Sequence, residues 1–201
     1  MLSTQDLGSR ALRGSVWLTS SHVLIAGIQL LRDVLVARLL LPEAFGLIAL
    51  VRFFLGMIQQ PFELSLDVAL IHRRERFEEA TVAHAWLKGA LALVAFFLIL
   101  AGQRVLRQWY EPRVVQGLVI LGASSILQAL GSTPRTLLER RLRFGAISGL
   151  MLSNTVLQSL VAILLARSGA GFWSLLIADL VAMVFPSIGC WWLARPMVMR
   201  A

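Results

Sequence analysis

The residues with chemistry in them are charged side chains that interrupt long apolar runs. Arg32 stands beside Asp33, Arg52 falls in the next run, and Glu63 and Asp67 are spaced i and i+4 on one helical face. Lys88 and Asp179 lie inside later runs. Ionisable groups within a bilayer cost at least a few kcal/mol, so each needs a reason to be there. Arginine offers paired donors in a planar fork that matches phosphate oxygens. Arg32 and Arg52 are therefore candidates to line a cationic cavity, with Arg38 at its mouth. Glu63, Asp67, Lys88 and Asp179 are candidates for a gate or an ion-coupling site. The plainer reading of Arg32 is an ion pair with Asp33, or with Glu63, Asp67 or Asp179 after packing. Adjacent helical positions point about 100° apart, which makes Asp33 a poor partner for Arg32. Lys88 and Asp67 lie within snorkelling reach of an interface.

Other chemistries find no support. Cys190 is the only cysteine, so neither an internal disulfide nor a cysteine-based zinc site can form. His22, His72 and His84 fit no metal-ligand spacing. His22, among small residues, reads as a hydrogen-bonded packing residue ahead of a proton relay. There is no glycine-rich phosphate loop and no serine or cysteine in a catalytic context. The expectation is a protein that is not an enzyme and needs no cofactor or metal.

The elements that carry these charges are long and apolar. Hydrophobic residues make up 58% of 201 positions, charged residues 15%, and mean hydropathy is +0.77. A soluble domain is nearer half apolar and a quarter charged. About 20 apolar residues cross the hydrocarbon core as a helix. Six segments meet that length, at about 15–40, 44–66, 80–101, 114–130, 146–166 and 172–194. Lipid leaves backbone groups no outside partner, so these segments should be helices. The fold class is all-α: one polytopic six-helix transmembrane lobe over residues 1–201. Pro42 and Pro112 should stop helices, and Gly169 and Gly171 should flank a tight turn.

The net charge of +8 falls between the apolar blocks, which speaks for membrane topology and against nucleic-acid binding. One set of alternate loops holds Arg10, Arg13, Arg73, Arg74, Arg76, Arg135, Arg140, Arg141, Arg143, Arg195 and Arg200, a total of 11. The other set holds Arg38, Arg104, Arg107, Arg113 and Arg167, a total of 5. The positive-inside rule then puts both termini in the cytoplasm. Trp109-Tyr110 and Trp191-Trp192 suit interfacial aromatic belts. The Arg140–Arg143 run suits anionic lipid headgroups or topology alone.

Four segments resemble a known family. Ala37-Arg38-Leu39-Leu40-Leu41-Pro42-Glu43-Ala44-Phe45-Gly46-Leu47 resembles the signature after the first helix of bacterial polysaccharide flippases. These form the oligosaccharide or O-antigen flippase group of the multidrug/oligosaccharidyl-lipid/polysaccharide exporter superfamily. Asp67-Val68-Ala69-Leu70-Ile71-His72-Arg73 is similar to the family pattern near the second helix. Leu138-Glu139-Arg140-Arg141-Leu142-Arg143-Phe144 is similar to the pattern before the fifth, and Gly169-Ala170-Gly171-Phe172-Trp173-Ser174-Leu175 to that entering the sixth.

The resemblance implies transport of an undecaprenyl-diphosphate-linked oligosaccharide across the bacterial inner membrane. It implies two six-helix lobes around a cavity whose arginines hold the diphosphate. The matched motifs contain Arg38 but neither Arg32 nor Arg52. This chain carries one lobe. A truncated gene, a split transporter with its second six-helix lobe elsewhere, and a homodimer all fit, and the truncated half-size form is favoured. Ser65 and Asp67 stand where the family pattern has glycine, which loosens close helix packing. The alternative is a vestigial lobe or an assembly partner of a polysaccharide export system. Membrane lipid and lipid-linked oligosaccharide are the expected partners.

Overall fold

The computed structural model describes residues 4–63, 77–140 and 144–198. Among them are six helices and no strands: α1 (Thr4–Leu39), α2 (Pro42–Glu63), α3 (Phe77–Trp109), α4 (Pro112–Arg140), α5 (Phe144–Arg167) and α6 (Phe172–Val198). The expected spans 80–101, 114–130, 146–166 and 172–194 fall within α3 to α6; the first expected span ends one residue past α1, and residues 64–66 of the second lie outside the described residues. Five of the helices are long and apolar enough to cross a membrane. The exception is α1, where Arg32, Asp33 and Arg38 crowd the last two turns.

The helices outrun the apolar stretches. Ser132 to Arg140 continue α4 past the expected end near residue 130, with Pro134 inside the helix. α3 runs eight residues beyond Ala101, through Gln103, Arg104, Arg107 and Gln108, side chains that favour helix and tolerate water.

The turns follow local chemistry. Leu40 donates its N–H to the Val36 carbonyl and ends α1. Pro42 and Pro112, expected as stops, are the first residues of α2 and α4. Proline suits that position because its fixed φ is already helical and its missing N–H would have no partner there. Gly169 and Gly171 take φ of 81° and 55°, a left-handed region where a Cβ would be strained, and so close the α5–α6 turn.

These three turns mark one end of the bundle. Glu63, Phe77, Arg140 and Phe144 stand at the opposite end, where α2 and α4 finish and α3 and α5 begin. α4 is central, packing on α3, α6 and α2, while α5 packs on α6 and α1. The main core fills the turn half, with Val36, Leu47, Val51, Ile99, Leu118 and Leu176 at its centre. A smaller cluster of Leu138, Ile147 and Cys190 joins α4, α5 and α6 near the other end. Backbones approach closely where Gly131 of α4 faces Ser187 of α6.

Candidate functional site

Two polar regions occupy the interior, and they share helix faces. The first is an ion pair across the bundle. Arg52 Nε donates to Asp179 Oδ2 at 2.7 Å, and Arg52 Nη2 donates to Asp179 Oδ1 at 2.7 Å. This fork-on-fork geometry is the strong form of the arginine–carboxylate contact. Gln158 Nε2 of α5 makes a long third contact to Asp179 Oδ1 at 3.4 Å. Arg52 lies ten residues into α2 from its turn end and Asp179 seven into α6, depths of about 15 and 10 Å at a helical rise of 1.5 Å per residue. The pair therefore sits near mid-membrane. Asp179 is buried, while the Arg52 side chain stays half exposed. A guanidinium at that depth belongs against water or protein rather than lipid.

Arg32 takes the plainer of its two readings. Its Nε and Nη2 reach Asp33 Oδ1 at 2.9 and 2.8 Å. The contact forms despite the offset of about 100° between adjacent helical positions. Arg38 is exposed in the last turn of α1. Glu63 ends α2, and Asp67 lies outside the described residues.

The second region is a cavity of about 620 Å³ in the half of the bundle away from the turns. Every helix contributes to its wall. His22 comes from α1, Gln59 from α2, Lys88 from α3, Gln128 and Arg135 from α4, Asn154 from α5, and Ser187 from α6. Arg52 and Gln59 are seven residues apart on α2, as are Asp179 and Pro186 on α6. Gln158 and Asn154 are four apart on α5. The ion pair thus continues the cavity wall toward the turn end.

The structure separates the residues singled out from sequence. Lys88 lines the cavity, while Arg32, Arg38, Arg52 and Asp179 do not. Arg135 was assigned to a loop; because α4 extends to Arg140, it stands in the wall instead. The neutral amides Gln59, Gln128, Asn154 and Gln158 carry no charge to interrupt a hydropathy profile, and only the facing of the helices reveals them.

Five long apolar helices among the described residues, enclosing a cavity with polar and cationic side chains in its wall, define a multi-pass membrane protein. A family model described as polysaccharide biosynthesis protein matches residues 35–199, and the chain belongs to that family. It is 27% identical over 161 residues to the succinoglycan biosynthesis transport protein ExoT of Rhizobium meliloti (strain 1021). That match covers 80% of this chain and 33% of the relative, so the chain spans about a third of the relative's length. No solved structure matches. Family and relative both point to polysaccharide biosynthesis and transport rather than to a catalyst.

Proposed function

We propose that the chain is one six-helix lobe of a bacterial inner-membrane flippase. In this reading it carries an undecaprenyl-diphosphate-linked oligosaccharide from the cytoplasmic to the outer leaflet, performs no catalysis, and has both termini in the cytoplasm. The observation that carries it is the 620 Å³ cavity with Lys88 and Arg135 in its wall. Cations at membrane depth cost free energy, and a diphosphate headgroup is a ligand whose charge and acceptor oxygens suit them. With the termini inside, the cavity lies in the cytoplasmic half, where a lipid-linked substrate is loaded. Arg52 and Asp179 then close the path toward the outer side, as a gate formed by α2 and α6.

Alternating access rocks one bundle against another around a shared site. The working unit in this reading pairs the lobe with a second six-helix lobe or with a second copy of itself. The test is complementation of a flippase-null strain, with the chain alone and with a complementary lobe. Surface polymer that disappears in Lys88→Gln/Arg135→Gln supports the proposal. Normal chain levels without polymer in either arrangement overturn it and leave the assembly-partner reading.

A further inference from the structure

The outward surface of α3 ends on two arginines. Of the five apolar helices, α3 is the least covered by its neighbours. Its exposed residues recur every three or four positions, through Leu93, Phe97 and Ala101, and the same stripe runs on into Arg104. Arg107, three residues further, is also exposed, so the two side chains are neighbours on the helix surface. Neither guanidinium has an ion pair or a hydrogen bond among the described residues. The carboxylate of the adjoining turn, Glu111, is engaged by Arg113 at 3.2 Å.

Two tryptophans give the depth of these arginines. Trp86 and Trp109, 78% and 79% exposed, stand at the two ends of the apolar run. The helix between them measures roughly 35 Å at 1.5 Å per residue. That is the hydrocarbon core of about 30 Å with a short step into each interface, where tryptophan concentrates. Arg104 then lies roughly 8 Å inside Trp109, on a surface shared with lipid-facing Phe97. A charge at that place relieves its desolvation by extending its stem toward the headgroups. Arg107, two residues before Trp109, is already at headgroup level.

What that level of the bilayer offers is phosphate, and a guanidinium fork pairs with two oxygens of a phosphodiester. A zwitterionic headgroup brings its own ammonium to the same place and cancels part of the attraction. A glycerol headgroup leaves the negative charge uncompensated. We propose that Arg104 and Arg107 form a binding site for an anionic phospholipid such as phosphatidylglycerol. Its phosphate meets the two guanidiniums, and its acyl chains lie along Phe97 and Leu93. The site belongs to the leaflet that the turn end faces, whichever side of the membrane that is, and it does not depend on the transport reading.

The experiment measures which lipid touches this stripe. In a Cys190→Ser background, Phe97→Cys carries a bimane label two turns below Arg104, and the full chain is reconstituted in lipid mixtures. Quenching of the label is followed as either phosphatidylglycerol or phosphatidylcholine, brominated in its acyl chains, replaces the unbrominated other. Phosphatidylglycerol should compete for the label about fivefold better than phosphatidylcholine. In Arg104→Gln/Arg107→Gln the preference should fall to about parity. Arg104→Gln alone should about halve it, whereas Arg167→Gln, which removes one charge from the α5–α6 turn at the same end, should leave it unchanged. Quenching by brominated phosphatidylcholine in every variant shows that position 97 still faces lipid and the helix is in place. Equal competition by the two lipids before any arginine is replaced overturns the site. So does a preference that survives the double substitution, an equal loss in Arg167→Gln, or a label that neither brominated lipid quenches.

Discussion

Arg52 and Asp179 are 127 residues apart in sequence and 2.7 Å apart in space, joined by two parallel hydrogen bonds that tie α2 to α6. α2 packs far more extensively on α4 than on α6, and this contact joins the apolar packing of Val51, Phe172 and Leu176 in holding α2 against α6. It also stands where the packed turn half gives way to the cavity.

Removing one partner should therefore hurt more than removing both. Asp179→Ala leaves a guanidinium without its counter-ion in the bundle and should destabilise by about 1–3 kcal/mol. The figure lies below that for a fully buried pair because Arg52 is half exposed. Arg52→Leu/Asp179→Leu should recover part of the loss. Thermal unfolding in detergent checks this; a double variant whose loss equals the sum of the Arg52→Leu and Asp179→Leu losses would mean that the pair carries no coupling.

Close helix approach sets a second expectation. A Cβ on Gly131 would lie 2.5 Å from Ser187 Cβ and 2.6 Å from its Cα, a backbone atom that cannot step aside. On Gly122 it would meet Ile99 Cδ1 at 2.7 Å, the far end of a flexible side chain, and on Gly56 nothing within 4 Å. Gly131→Ala should cost about 1–3 kcal/mol through overpacking. Gly122→Ala should cost less and be relieved by Ile99→Val. Gly56→Ala should be neutral or stabilising by up to about 1 kcal/mol, since alanine favours helix. The order of three melting temperatures tests the α4–α6 contact directly.

The contrast between these two contacts shows what a sequence can disclose. The six helices were legible because lipid forces backbone hydrogen bonds inward and demands long apolar runs, and four short motifs pointed to the family. Helix ends were less legible. Pro42 and Pro112 read as stops because proline breaks a helix from within, yet it equally opens one. Arg135 read as a loop cation because polar residues after Leu130 end the apolar run without ending the helix. The Arg52–Asp179 pairing depends on which faces of α2 and α6 meet, a property of packing that no local pattern encodes. Gln59 and Asn154 were invisible for a similar reason, since one amide in an apolar helix becomes notable only when the helix faces that surround it are known.

Orientation is open to direct measurement. In a Cys190→Ser background, a cysteine at Ser168 in the α5–α6 turn should react with a membrane-impermeant maleimide added to intact cells. A cysteine at Ser3 should react only after permeabilisation. The positive-inside rule predicts this result from the arginines assigned in sequence to the two sides of the expected spans, 11 against 5. The reverse labelling would place the cavity in the outer half and remove the loading step from the proposed mechanism.

The last expectation concerns α1, whose insertion should depend on its neighbours. α3 carries an apolar window of mean hydropathy 2.0, whereas α1 holds Arg32, Asp33 and Arg38 in its final turns and packs chiefly on α5. Charged residues at a helix centre oppose translocon insertion by about 2.5–3.5 kcal/mol each, and less toward the ends. Arg32 and Asp33 lie seven and six residues before Leu39, roughly 10 Å inside the helix end at 1.5 Å per residue, so a reduced but appreciable penalty applies. Their mutual ion pair offsets part of it, yet the Asp33 side chain remains 60% exposed and keeps facing the surroundings. In a glycosylation-based insertion assay, the isolated α3 segment should insert almost completely and the α1 segment only partly. Arg32→Leu/Asp33→Leu should raise α1 to the level of α3. A single Arg32→Leu should help less, because it leaves Asp33 without its partner. Complete insertion of wild-type α1 alone would show that the charged pair carries no cost at that depth, and that α1 needs nothing from α5 to enter the membrane.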